Sequence, residues 1–316
     1  MTVTEQHGGS SHAGRREGVA PELSVVIASV NGYPVVGECL RSLEQQTARA
    51  RAEIVLVDRM GDGTAERVEA EFPDVVVLRA SADRTIPQLR SQGLRVARGA
   101  IVAVTEDHVY APPGWMEAML DAHARYPDVG GIGGPVSNRC TEKAVDWASF
   151  LCEYNEFLPP MVAAGNAPIP GMNSSYKRGA IDACGDLFYL GLWETFLHPG
   201  LVKAGQELRL DPSVALEHNK SFGWGEFLSQ RYYLARSYAG MRVANRGRGR
   251  RLAYTLASPA LYPLLLARIA RRSLRKGYGP QLLRAGPGLL VFLLAWTVGE
   301  GVGYAFGEGD ASMRVE

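Results

Sequence analysis

Four cysteines in 316 residues (Cys39, Cys140, Cys152 and Cys184) are too few for a disulfide scaffold, and none falls at the spacing of a zinc site. They read as buried thiols of a reducing compartment. The first twenty residues are rich in Gly, Ser, His and charge and lack the apolar run of a signal peptide, so residues 1–21 are expected to be a disordered tail. No G-x-x-x-x-G-K-S/T loop is present, nor a G-x-G-x-x-G after the first apolar run, which argues against ordinary P-loop and dinucleotide chemistry. Net charge is small as well. With 34 Lys+Arg against 33 Asp+Glu the formal charge is +1, which argues against a general nucleic-acid binder.

One absence is local. Between Glu226 and Glu300 there is no Asp or Glu, whereas Arg231, Arg236, Arg242, Arg246, Arg248, Arg250, Arg251, Arg268, Arg271, Arg272, Arg275, Lys276 and Arg284 supply thirteen cations. Subtracting thirteen from +1 leaves −12 for the rest, so the molecule is bipolar. This zone also lacks the unbroken run of about 20 apolar residues that a spanning helix needs. Residues 252–267 are interrupted by Pro259 and Pro263, and residues 286–306 hold a dense apolar run from Gly288 to Val298 followed by a Gly-rich stretch with Glu300. Neither reads as a secure span. Apolar segments laced with Arg and edged by Tyr262, Tyr278 and Trp296 suit a re-entrant hairpin or interfacial helices on an anionic leaflet. The alternative is a buried helical hairpin with a solvated basic face. Thirteen cations without an acid exceed what solubility requires, which favours membrane contact.

What is present in the first two-thirds is alternation. The β-branched runs at residues 23–28, 53–58, 75–78 and 100–105 alternate with helix-length segments at 34–47, 63–71 and 86–98. This is the pattern of an open, mostly parallel α/β sheet, whose ligands bind beyond the carboxyl ends of the strands. Ser29, Asn31, Asp58, Arg59, Glu106, Asp107 and His108 follow those ends.

These residues sit within a longer series of motifs. Ser24-Val-Val-Ile-Ala-Ser-Val-Asn31, Leu40-Arg-Ser-Leu-Glu-Gln-Gln46 and Ile54-Val-Leu-Val-Asp-Arg-Met-Gly-Asp-Gly-Thr64 are followed by Leu89-Arg-Ser-Gln-Gly93, Thr105-Glu-Asp-His108 with Pro-Pro-Gly-Trp115, and Gly131-Ile-Gly-Gly134. Asn173-Ser-Ser-Tyr-Lys-Arg178 and Lys203 through His218 complete the series. In order and spacing the series resembles family 2 glycosyltransferases over about residues 22–220. The resemblance implies a GT-A fold, a Rossmann-like, mostly parallel sheet with flanking helices, here joined to a C-terminal membrane-associated helical region. The expected organisation is a tail (1–21), a nucleotide-sugar-binding and acceptor domain (22–225), a basic apolar helical region (226–307) and a short tail (308–316).

The resemblance also implies roles. Glu106-Asp107-His108 occupies the place of the family's Asp-x-Asp, so His108 stands at the usual metal-ligand position. His218 matches a second histidine near the diphosphate, and His108, Asp107 and His218 are the candidate metal set, or phosphate contacts. Imidazole favours Mn over Mg, which makes a divalent metal, Mn before Mg, the expected cofactor. Ala28, Ser29, Asn31, Asp58, Arg59, Arg90, Glu106 and Asp107 are the candidate donor-binding residues. Arg59, in place of an acidic neighbour, is left to read a different base, pair with Asp58 or Asp62, or meet a phosphate. In Gly185-Asp-Leu-Phe-Tyr-Leu-Gly-Leu-Trp-Glu-Thr195, Glu194 aligns with the family's catalytic carboxylate and is the candidate base, with Thr195 in place of an Asp. Two functions stay open. One is an inverting, hexosyltransferase-like enzyme moving sugar from a nucleoside diphosphate to a lipid-like or lipid-linked acceptor at the cytoplasmic face of the cell membrane. The other is a GT-A-fold protein that binds or acts on a non-sugar diphosphate, such as an isoprenoid diphosphate.

Overall fold

The computed structural model describes residues 20–315, and the expected N-terminal tail lies almost wholly outside them. The alternation in the sequence becomes β1 (Leu23–Ser29), α1 (Val35–Glu44), β2 (Ala52–Asp58), α2 (Thr64–Glu71), β3 (Val75–Arg79), α3 (Ile86–Val96) and β4 (Ile101–Glu106). These four strands lie parallel in the order β3-β2-β1-β4. β1, β2 and β4 are buried on both faces, which is why they read as continuously apolar rather than alternating, while β3 at the sheet edge is only partly covered. Helix α3 starts where the Thr85 hydroxyl accepts from the Gln88 amide while the Gln88 side chain accepts from the Thr85 amide, with Pro87 in the first turn. The register pairs Ser29 with Asp58 and Ala28 with Glu106, so the polar residues after each strand meet at one sheet end.

The chain continues through β5 (Val109–Tyr110), α4 (Trp115–Arg125), β6 (Val129–Gly133), β7 (Val136–Asn138), α5 (Ala144–Tyr154), β8 (Ala164–Gly165), β9 (Ser174–Lys177), α6 (Arg178–Ala183), α7 (Glu194–Lys203), β10 (Glu207–Leu210) and β11 (Leu216–His218). Strand β9 lies antiparallel between β4 and β6, and the sheet ends β9-β6-β10-β8. A second sheet, β5-β11-β7, begins directly after Glu106 and turns the chain away from the main sheet. Its β5–β11 pairing sets His218 opposite Val109, beside His108.

The C-terminal third folds as α8 (Trp224–Val243), α9 (Arg248–Ala257), a 3₁₀ turn at Ser258–Ala260, α10 (Leu261–Arg275) and α11 (Gly279–Phe306), with a last 3₁₀ turn at Ala311–Arg314. Here the structure departs from expectation. Arg248–Arg275 runs as one 28-residue helical stretch and Gly279–Phe306 as another, both long and apolar enough to cross a membrane by length and composition. Pro259 falls in the 3₁₀ turn and Pro263 in the first turn of α10, where neither ring removes a needed helical hydrogen bond. In α11 the Gly-rich stretch is a packing surface. A Cβ on Gly299 would lie 2.4 Å from the Tyr232 carbonyl oxygen and one on Gly303 2.5 Å from that of Arg236, so the glycines let α11 sit against the backbone of α8. Glu300, between them, is buried with Trp296 Nε1 (2.8 Å) and the Tyr304 hydroxyl (2.5 Å) donating to it. These helices share a core with the sheet: Leu289, Phe292 and Leu293 join one cluster with Trp147, Phe150, Leu40 and Ile27. Their outer faces expose Leu252, Leu256, Leu264, Leu274, Leu283, Leu290, Leu294 and Phe306.

Candidate active site

A cavity of about 550 Å³ opens at the carboxyl end of β1 and β4 and extends to the C-terminal helices. Ala28, Glu106, Asp107, His108 and Glu194, all expected site residues, line it. Ser29, Asn31 and Asp58 form the hydrogen-bonded support beside it. Ser29 Oγ donates to Asp58 Oδ1 at 2.8 Å, and burial pushes the Asp58 carboxyl above its ordinary range against that bond. Arg90, on α3, donates to Glu194 and, at 3.2 Å, to Glu106, so one buried guanidinium organises two carboxylates. A Cβ on Gly171 would collide with the Glu194 carboxyl, which explains how a glycine backs the candidate base.

Glu106 also receives the Tyr154 hydroxyl at 3.1 Å and lies 3.2 Å from His108 Nε2. Burial alone would raise its carboxyl, yet the His108 hydrogen bond and the charges of His108 and Arg90 hold it at about 2. Burial opposes charge on His108 too, but bonds to Asp107 and Glu106 push its imidazole up to about 9. His218 has the reverse environment. It is fully buried, edge-on to His108 with ring centroids 5.1 Å apart, and burial followed by the charge of His108 lowers it to about 3. Neither of its ring nitrogens has a hydrogen-bond partner.

These features test the expected metal set. Asp107 is not available as a ligand: its carboxylate accepts from the Val30 and Asn31 amides (2.7 and 2.8 Å) and from Asn31 Nδ2 (2.6 Å), and it lies 3.0 Å from His108 Nδ1. It ties the end of β1 to the end of β4. Among the described residues no group of three His, Cys, Asp or Glu side chains is placed to hold a metal ion. What remains for one is His218, unpartnered among the described residues, joined by His108 only once the latter gives up its proton and its Nε2 contact with Glu106, with other ligands coming from a bound diphosphate.

Arg59 makes two backbone contacts that its place after β2 did not suggest. Its guanidinium donates to the Arg84 carbonyl (2.6 Å) and to the Val315 carbonyl (3.0 Å), joining the end of β2 to the C-terminal turn. The sequence reading missed Glu153, Tyr154, Arg231, Trp296 and Val315, which line the cavity from helices remote in sequence. Glu153, buried, is pushed up to about 7, with Arg231 opposing the shift.

Comparison with known proteins bears on the fold and the family. A glucosyl-dolichyl phosphate glucuronosyltransferase of Haloferax volcanii is 30% identical over 120 residues, 36% of this chain and 38% of that protein. The alignment thus spans well under half of the relative. A mannosyltransferase from Pyrobaculum calidifontis, PcManGT, solved with GDP-mannose and Mn²⁺, superposes with a TM-score of 0.53 over 89% of this chain and 87% of its own, at 18% identity. The shared fold is GT-A-like. Residues 24–184, which carry β1 to β4, Leu23 excepted, together with the Glu106–Asp107–His108 turn, match the model of glycosyl transferase family 2, and the chain belongs to that family.

Proposed function

We propose that this protein is an inverting glycosyltransferase that moves a sugar from a nucleoside diphosphate sugar to a lipid-linked acceptor at the cytoplasmic membrane face. The observation that carries the reading is the single cavity in which Glu106, His108 and Glu194 share walls with α8, α10 and α11. The wall of Leu234, Leu265, Ile269 and Leu293 offers apolar surface to the hydrocarbon part of such an acceptor. The relative from Haloferax volcanii, named for a dolichyl phosphate substrate, supports the same acceptor class.

In this reading the donor's nucleoside lies over Ala28 and Asp58, and Glu106 accepts from its ribose. Glu194 takes the proton of the acceptor hydroxyl as that oxygen attacks the anomeric carbon opposite the diphosphate. Arg90 fixes the Glu194 carboxylate for this step and keeps Glu106 ionised beside it. A divalent ion held by His108 and His218 would neutralise charge growing on the departing diphosphate. The Tyr154 hydroxyl fixes Glu106 from the acceptor side.

The test is transfer of labelled sugar from nucleoside diphosphate sugars into a membrane lipid extract by the full-length protein. Label in the organic phase is expected. Label released only as free sugar, or none with any donor, would refute the reading. Mn is expected to support nucleotide binding better than Mg, and His108→Ala to remove most of that metal dependence. Equal binding in EDTA would assign His108 to the phosphate directly.

A further inference from the structure

Beyond the transfer site the cavity runs between α8, α10 and α11, and this half carries three arginines. On α10, Leu265, Arg268, Ile269 and Arg272 recur at i, i+3, i+4 and i+7 and so share one face, which lines the cavity. Arg231, on α8, faces them. It is 4% exposed, yet among the described residues its Nε has no hydrogen-bond partner and the carboxylate paired with it, Glu153, is 3.9 Å away. Its guanidinium lies 4.0 Å over the Trp296 ring. At 3.9 Å Arg231 and Glu153 meet through charge alone, without a hydrogen bond, so the pairing is incomplete. Arg268 is exposed at the rim, and Arg272 holds Glu156 at 2.7 Å.

A buried guanidinium without a matched anion is unfavourable unless something else supplies the charge. Leu234, Leu265, Ile269 and Leu293 line the same cavity, so the missing anion has an apolar body attached. Planar guanidinium forks match phosphate oxygens in pairs. We propose that Arg231, with Arg268 and Arg272, binds the phosphate group of a lipid phosphate, whose hydrocarbon chain lies against Leu265, Ile269 and Leu293. The proposal rests on the lipid-acceptor reading and names the headgroup that the acceptor carries. Free phosphate is the poorer occupant because it leaves the apolar wall uncovered.

The experiment titrates full-length protein in detergent with farnesyl phosphate, farnesol and inorganic phosphate, and separately with a nucleoside diphosphate. Farnesyl phosphate is expected to bind about ten-fold or more tightly than either fragment, and Arg231→Gln to weaken it about ten-fold or more, the scale of charge-assisted hydrogen bonds. Because Arg231 is buried, the double variant Arg268→Gln/Arg272→Gln, at the rim, provides a second measure and is expected to lose several-fold. Nucleoside diphosphate affinity is expected to stay within about two-fold in all variants. Farnesol binding as tightly as farnesyl phosphate, inorganic phosphate binding as tightly, or farnesyl phosphate affinity unchanged in folded variants would each overturn the proposal. If the wild type bound no nucleoside diphosphate, the transferase reading would fail instead, whatever the arginines did.

Discussion

At the scale of single residues, Arg90 is the hinge of the candidate chemistry, since one guanidinium holds both Glu194 and Glu106. Glu194→Gln keeps the shape and a hydrogen bond to Arg90 but removes the base. Turnover is expected to fall about 100-fold or more with donor affinity nearly unchanged, measured by initial rates and donor titration. Unchanged turnover would move the base elsewhere in the cavity. Two further histidines, His123 on α4 and His198 in the cavity wall, set a different expectation. His123, 2.9 Å from Ser175 Oγ, is lowered to about 3 by burial and then Lys177, and His198, 2.7 Å from the Tyr176 hydroxyl, is lowered to about 4 by burial and then Arg90. Both stay neutral in the fold at pH values where the unfolded chain takes up protons. Their folded values lie below the unfolded one, so stability is whole above about pH 6.5 and is lost as pH falls toward 4, by up to about 1.4 kcal/mol per histidine per pH unit. Thermal unfolding of His123→Gln should show a shallower loss over that range. Sequence placed Ser29, Asp58, Glu106 and His108 at the correct strand ends because strand position is local information. It could not place Arg59, whose Val315 partner lies 256 residues away.

At the scale of elements, the parallel sheet was legible because its central strands β1, β2 and β4 are buried on both faces and write apolar runs into the sequence. The four expected strands match β1 to β4 within a residue or two, and the helix expected at 86–98 is α3. The C-terminal helices were less legible for two reasons. Proline was read as a break although Pro259 and Pro263 stand where a helix start tolerates them, and glycine was read as a tail although Gly299 and Gly303 form the seam with α8. Such a seam has no apolar signature, since backbone rather than side chain makes the contact. Gly303→Val would put methyl groups where the Arg236 carbonyl and Ala239 now lie. We expect it to cost about 3 kcal/mol, read as a fall in the midpoint of thermal unfolding. A valine at Gly249, which has open space around it, is the control.

At the scale of the molecule, the thirteen cations divide. Arg231, Arg236, Arg242, Arg251, Arg272, Lys276 and Arg284 make contacts within the protein, while Arg246, Arg248, Arg250, Arg268, Arg271 and Arg275 are exposed. Fewer than half are therefore free to meet anionic lipid, and each contributes at most about 1 kcal/mol within a Debye length. The exposed leucines of α9, α10 and α11 are expected to supply the rest. High salt should loosen the protein from membranes and detergent should release it, as followed by fractionation; full recovery in salt alone would make charge the whole anchor. From sequence, a chain ending near residue 245 is expected to stay soluble, because the sheet lies upstream. The shared core changes that expectation, since losing α11 uncovers Phe150 and Phe227, and such a chain is now expected to aggregate. The Val315 contact with Arg59 carries the same interdependence to the cavity itself, where Val315 stands in one wall with Ala28 and Val30. During synthesis the sheet can form early, but that wall closes only when the final turn has left the ribosome. A chain that stops short of Val315 is therefore expected to lack one part of the cavity lining even with every helix present.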